Sequence, residues 1–331
     1  MQIVAKSMRE GKSLVLATKE FASEDRLRSW WCIITTALLL LLALAGTVGP
    51  FNWAVRISCG FLGGLLMVRA FVIYHDHQHR SILPDSRLAK VLMKLYGLYC
   101  LSPNKVWKES HDFHHKHNSK LRSAFIGSFP IMTKDNFRRA SKSQRLQYLY
   151  MRHSLTILCG YFTVFWFSMC LAAFFHDAKK NYEGLIAALL HVSAGVMLVV
   201  WFGWSSLLLT LLIPHFICGA VGSYLFYAQH NFPGVTFMEQ GAWTYEGAAL
   251  ESSSFMTMSG LMHWFTANIG YHHIHHLNAK IPFYRLPEAM EKIPELQHPK
   301  TTSLSLIETL RCLRLKVWDV EANQMIGLNQ I

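Results

Sequence analysis

The sequence predicts an all-α integral membrane protein, with four transmembrane helices in two hairpins beneath a cytoplasmic helical cap that carries histidine clusters. Three observations point there. The 331 residues are 52% hydrophobic, and the apolar residues are concentrated in long runs rather than spread through the chain. Four of these runs come as two pairs, each joined by a turn too short for anything but a hairpin. The segment 75–153 holds 15 Lys and Arg against 5 Asp and Glu, whereas the two hairpin tips carry no charge. This asymmetry places the basic segment, and with it both termini, on the cytoplasmic side.

Residues 1–29 form a polar cytoplasmic segment of mixed charge. They lack the short apolar core and small-residue cleavage site of a signal peptide. Residues 31–49 read WCIITTALLLLLALAGTVG and are free of charge; about 20 such residues cross a bilayer core as a helix. The second crossing, 51–74, follows directly after Pro50 and contains Arg56 and Arg69. Arg69 is expected to snorkel to the cytoplasmic headgroups. Crossings three and four are 185–202 and 205–228, joined near Gly203. A fifth run, 154–175, is long enough to span, but a fifth crossing would put the histidine clusters on opposite faces of the membrane. It is therefore read as in-plane or re-entrant, an assignment that Lys179 and Lys180 support.

Residues 30–276 make one membrane domain, and 277–331 a cytoplasmic C-terminal helical segment. There Leu306, Leu310, Leu313 and Val317 recur at helical spacing, with Arg311, Arg314 and Lys316 towards solvent. Such a helix covers the histidine clusters or lies on the membrane. Trp30, Trp31, Trp201 and Trp204 suit the membrane interface. The seven cysteines are scattered without a CxxC pair, so neither a disulfide frame nor a zinc ribbon is expected. The net charge of +12 matches cytoplasmic segments facing anionic lipid. No soluble basic domain is visible, so nucleic acid is not an expected partner.

Of the 18 histidines, 12 fall within 75–117 and 263–276. His75 and His79 are spaced i, i+4; His111, His114 and His115 read HxxHH, and His272, His275 and His276 repeat that spacing. By chance HxxHH would occur roughly 0.05 times in a chain of this histidine content. Positions i, i+3 and i+4 project from one helix face, so each group can aim two or three imidazoles at one point. Imidazole binds zinc, iron, copper and nickel. A catalytic zinc needs three protein ligands, and eight clustered histidines exceed that. They are about enough for two metal ions with room for an exogenous ligand. HExxH does not occur, and no ExxH lies among the histidine clusters.

The spacing of these groups around two membrane hairpins resembles the histidine boxes of the membrane fatty acid desaturase family. The likeness extends to YHDHQHRSIL at 74–83, SHDFHHKHNSK at 110–120, FYAQHNFPG at 226–234 and WFTANIGYHHIHHLNAKIPFYRLPE at 264–288. It runs from about Arg69 to Leu296, and the HxxxH first box is similar to that of bacterial acyl-lipid desaturases. The resemblance implies a non-haem di-iron centre held by His75, His79, His111, His114, His115, His272, His275 and His276, with His230 of AQHNF as a ninth ligand. The extra histidines His77, His117 and His273 are not expected to ligate; His273 is the one to watch if a box has slipped register.

Around these positions the sequence leaves alternatives open. Asp76 and Asp112 either orient imidazoles or pair with a nearby lysine. Asn231 is a candidate for holding a water near the metals. Asn268 either caps a helix or bonds a ligand. Trp107, Trp264, Phe265 and Tyr271 are candidates for lining an acyl channel, against simple packing.

The expected reaction is O2-dependent insertion of a cis double bond into a membrane acyl chain. An unactivated C–H bond is beyond acid–base side chains, so a metal or cofactor must supply the chemistry and the protein the position. Neutral imidazoles hold iron without cancelling its charge. No cytochrome b5 HPGG motif, ferredoxin cysteine set or GxGxxG is present, so an external ferredoxin or b5-like donor is implied. The enzymatic rival is a histidine-box hydroxylase or ketolase of alkyl or carotenoid substrates. The non-enzymatic rival is a metal-binding, receptor-like membrane protein. The bacterial resemblance favours a bacterial inner membrane with the active site on its cytoplasmic side.

Overall fold

The computed structural model describes residues 9–121 and 127–331; the first eight residues of the expected N-terminal segment lie outside the described residues. Among the described residues, four helices are long and apolar enough to cross a membrane: α1 (Arg26–Val48), α2 (Trp53–Gln78), α7 (Tyr182–Phe202) and α8 (Trp204–Ala228). They match the expected crossings to within a few residues. α2 runs on past the apolar stretch to Gln78, which keeps His75 and Asp76 helical.

The chain starts and stops these helices by local rules. Asp25 and Asn52 cap α1 and α2, their side chains accepting from the amides of Arg28 and Val55 at 3.0 Å. Each such cap satisfies an amide that has no intrahelical partner. In α8, Pro214 has no amide hydrogen to give, and the turn before it, Leu207–Leu212, is widened to a π-helix. His215 Nδ1 meets the Leu211 carbonyl at 2.8 Å.

α2 and α8 pack closely and end on the same side. Glycines set the distance: a Cβ on Gly60 would lie 2.8 Å from the Leu209 carbonyl oxygen, and one on Gly64 would lie 2.6 Å from Ile217 Cβ. Without a hydrophobic drive between helices in lipid, such small residues permit the backbone approach that supplies packing energy.

Between the hairpins lie α3 (Arg87–Tyr99), α4 (Asn104–His117), α5 (Lys142–Met151) and α6 (Tyr161–His176). α6 is apolar but shorter than the ~20 residues a crossing needs, and it packs against α7 and α8. Its first part, Tyr161–Ala172, is a π-helix. Within the membrane region the Tyr161 hydroxyl lies 2.7 Å from His191 Nε2. Arg69 does not snorkel. It is buried, bonding Thr36 Oγ1 at 3.0 Å and the Trp264 carbonyl, with its guanidinium 4.2 Å from the Trp264 ring centroid. An acceptor within reach removes the need to climb to the headgroups.

After α8 come α9 (Gly260–Phe265), α10 (His272–Leu277) and α11 (Leu306–Arg314). The C-terminal segment is not wholly helical. β1 (Phe255–Thr257) pairs in parallel with β2 (Thr301–Ser303), and β3 (Val317–Asp319) pairs antiparallel with β4 (Gln324–Ile326). The strand β3 ends the expected helical stripe early: α11 stops at Arg314, and Val317 is buried in a strand. Leu313 is buried too, but Leu306 and Leu310 are exposed. The residues before α1 are tied to the cap. Arg9 pairs with Glu295 at 2.8 Å, and Arg285 donates to the Glu20 carbonyl at 2.9 Å.

Candidate metal centre

His75 stands in the last turn of α2 and His79 caps it; His111, His114 and His115 lie on α4, His230 just beyond α8, and His272, His275 and His276 on α10. These nine imidazoles meet in two groups, each with ring nitrogens within 4.8 Å of one another. The first holds His75, His79, His111, His115 and His275; the second holds His114, His230, His272 and His276. Each HxxHH thus feeds both groups. The i, i+4 pairs, His111 with His115 and His272 with His276, stay together. The middle residues, His114 and His275, turn to the other group. A step of three residues on a helix rotates the side chain by about −60°, and a step of four by about +40°, which is how one short helix serves two points.

In the second group the Nε2 atoms form a closed ring. His114 to His230 is 3.1 Å, His230 to His272 2.9 Å, His272 to His276 3.2 Å and His276 to His114 3.2 Å. A metal–nitrogen bond of ~2.1 Å with neighbouring ligands at right angles puts donor nitrogens ~3 Å apart, so the spacing fits a shared ion. His230 donates from Nδ1 to the Ser252 carbonyl at 3.0 Å; in a neutral ring this leaves the Nε2 lone pair facing the group. In the first group, His115 Nε2 lies 3.1 Å from both His111 Nε2 and His275 Nε2. Nitrogen donors suit iron, zinc, copper and nickel, and nine exceed the coordination of one ion.

The environment favours the neutral form of eight of these rings. Burial first, then neighbouring imidazoles, pushes His79, His111, His114, His115, His272, His275 and His276 well below the ordinary histidine value. Burial brings His230 down to about 4. Neutral imidazole is the form that binds metal.

The two aspartates divide. Asp76 is buried; its Oδ1 lies 3.1 Å from His75 Nδ1, and its Oδ2 accepts from the Phe283 amide at 2.7 Å. It orients His75 and ties α2 to the chain beyond α10. Asp112 faces outward and pairs with Lys108 at 2.8 Å, so it orients no imidazole. Asn231 is turned away from the groups: it accepts from Arg152, and its Nδ2 donates to the Cys312 carbonyl at 2.8 Å. Asn268 neither caps α10 nor bonds a clustered histidine. It sits at φ +56° and donates to the Phe283 carbonyl at 3.1 Å, steadying the residue that Asp76 holds. The extra histidines stay apart, with His77, His117 and His273 bonded to the carbonyls of Ile82, Phe113 and Leu296.

An apolar cavity opens beside the groups. One face of α2 (Val68, Phe71, Val72) and one of α8 (Cys218, Gly222, Leu225, Phe226) form its walls, and His75, His111 and His272 lie at one end. None of Trp107, Trp264, Phe265 and Tyr271 lines it. Trp107 stacks on His111, ring centroids 4.3 Å apart, and backs the first group. Trp264 carries Arg69, Phe265 is core, and Tyr271 precedes α10 with its ring against Phe255 and His263. The helices' own i, i+3, i+4 faces make the wall, a signal present in the sequence but shared with every packed helix. Arg152, a buried cation that gathers the Pro130 and Leu315 carbonyls, Tyr227 and Asn231, had no sequence signal beyond its place before an apolar run.

Residues 51–304 match the family model described as fatty acid desaturase. The chain is 32% identical over 292 residues to a fatty acid desaturase of Bacillus subtilis (strain 168), covering 88% of this chain and 79% of that relative. It is 23% identical over 287 residues to an sn-1 oleoyl-lipid 12-desaturase of Anabaena variabilis, covering 84% and 79%. It is 22% identical over 271 residues to an sn-1 acyl-lipid omega-3 desaturase (ferredoxin) of Nostoc sp. (strain 36), covering 77% and 72%. With the four membrane helices and the gathered imidazoles, these matches identify the chain as an integral membrane oxidoreductase belonging to the fatty acid desaturase family.

Proposed function

We propose that the protein inserts a cis double bond into the acyl chain of a membrane lipid, using O2 and two iron ions. His75, His79, His111, His115 and His275 would hold one iron, and His114, His230, His272 and His276 the other. The observation that carries this reading is the placement of both imidazole groups at one end of an apolar cavity. When bound, the two irons with O2 and two external electrons supply the oxidising power to remove hydrogen from adjacent methylenes. The chain's residues do the rest. Asp76 and the Ser252 carbonyl fix the rings of His75 and His230. Phe71, Val72, Leu225 and Phe226 hold the acyl chain and keep water from the reacting carbons.

The electrons come from a separate ferredoxin or b5-like protein; a relative's name includes ferredoxin, and the basic surface suits an acidic donor. The excess of Lys and Arg in 75–153 supports a cytoplasmic site, and the bacterial relatives support a bacterial inner membrane.

The test is gas chromatography–mass spectrometry of total lipids from a host expressing the protein with a ferredoxin, beside His114→Ala. New unsaturated chains lost in the variant establish the activity and locate the bond. Hydroxylated lipid would move the protein to the hydroxylases. Unchanged lipid with iron bound and a reducing donor present would overturn the reading.

A further inference from the structure

α11 presents its apolar side outward. Leu306, Ile307 and Leu310 are 74%, 67% and 45% exposed, while Cys312 on the other side and Leu313 in the last turn are buried. Three large apolar side chains in a row on a cap helix call for a partner. The helix position narrows the choice. α11 packs on α8, with Thr309 and Cys312 against Tyr224. Tyr224 is four residues from the end of the fourth crossing, or ~6 Å along the helix. The exposed face therefore lies at the level where α8 leaves the membrane.

Charge points the same way. Arg311 and Arg314 are exposed beside the apolar face. α5 shares the pattern: Leu146 and Tyr150 are 71% and 61% exposed, while Tyr148 on its buried side donates to the Lys316 carbonyl just after α11. Exposed Arg138 and Arg139 end the short helix before α5, and exposed Lys142 starts α5. Apolar residues rimmed by arginine and lysine at the end of a membrane helix match the composition of interfacial helices that lie in the headgroup layer.

We propose that α11, with α5 beside it, is seated in the anionic headgroup layer of the bilayer, apolar face down and arginines on the lipid phosphates. The seat is joined to the histidine groups. The carbonyls at the end of α11 accept from the side chains around His230: Cys312 from Asn231 at 2.8 Å, and Leu315 from Tyr227 at 3.0 Å. Lipid contact at α11 thus steadies the residue that follows His230. This inference rests on the membrane architecture and is independent of the reaction proposed above.

The test uses the full-length protein in phosphatidylglycerol-containing nanodiscs, with Ile307→Cys labelled by a bimane fluorophore. The seven native cysteines are buried or half-buried, and the parent chain controls for their labelling. Leu310→Cys repeats the measurement, and each variant is checked for a monodisperse elution profile. The seat predicts strong quenching by lipids spin-labelled near the top of the acyl chain and little by aqueous iodide. It also predicts that the Arg311→Glu, Arg314→Glu double variant raises iodide quenching several-fold. Full iodide access at both positions overturns the proposal. So does shielding that appears only when a ferredoxin is added, or that grows with two copies per disc, because the face would then dock a protein.

Discussion

Gly222→Leu tests the cavity directly. Gly222 lies on the cavity face of α8, and a Cβ added there meets no atom within 4 Å. Leucine also favours a helix over glycine by ~1 kcal/mol, so the fold should accept the change. The side chain then enters the space assigned to the acyl chain. Gly222 is seven residues before Gln229, which lies at the histidine end, or ~10 Å at the helical rise. An extended chain with C–C bonds of ~1.5 Å advances roughly 1.25 Å per carbon, so Gly222 faces about the eighth carbon from that end. Beyond it the wall continues one turn to Cys218, ~6 Å, room for about five methylenes. At ~0.8 kcal/mol per buried methylene, closing that turn costs ~4 kcal/mol, close to 10³-fold in kcat/KM for chains that reach it. The assay compares wild type and variant on acyl chains of different length by gas chromatography–mass spectrometry. Long chains should lose activity or acquire a displaced double bond, while short chains are spared. Unchanged rates and unchanged bond position on every chain would refute the assignment of this cavity to the substrate.

Other outcomes follow from single residues. Asp76→Asn replaces the carboxylate that orients His75, and outer-shell changes of this kind cost roughly 10- to 100-fold in metal affinity; iron per protein after chelator challenge should fall accordingly, whereas Asp112→Asn should leave it unchanged. Arg152→Ala strips the Pro130 carbonyl of its bond and leaves Asn231 short of a donor, each unmet acceptor costing ~1–3 kcal/mol; a lower thermal midpoint in detergent checks this. Lys316 is held down to about 8 by burial and by the positive charge of Arg152. Below that value it is charged in folded and unfolded chains alike, and the folded state carries the whole penalty. Above it, until the ordinary lysine value, the unfolded chain binds more protons, so stability rises with pH. Lys316→Met should be the more stable protein at neutral pH and should lose that rise, as thermal midpoints from pH ~7 to pH ~10 will show; a parallel rise in the variant would refute the assignment to Lys316.

The class, the four crossings and the residues that gather were legible in the sequence. Each rests on a chemistry that acts locally: an uncharged run must bury its backbone as a helix in lipid, and imidazoles at i, i+3 and i+4 share a helix face. Parity of the crossings required the boxes to meet on one side. The division of each HxxHH between two groups was not legible, because spacing fixes which rings share a face and says nothing of which partner stands opposite. Asp76 and Asp112 each follow a box histidine, but only burial against Phe283 on one side and exposure beside Lys108 on the other separates their roles. Of the aromatic residues nearest the boxes in sequence, Trp107 backs a histidine, Phe265 packs the core, Trp264 holds Arg69 and Tyr271 lies against Phe255 and His263, while the cavity was built by Phe71, Gly222 and Phe226 from crossings far apart in the chain. The sequence by itself determined the membrane helices and which imidazoles come together. Only the tertiary structure decided which ring joins which group and which residues wall the apolar cavity, because those depend on distances between segments that no local spacing encodes.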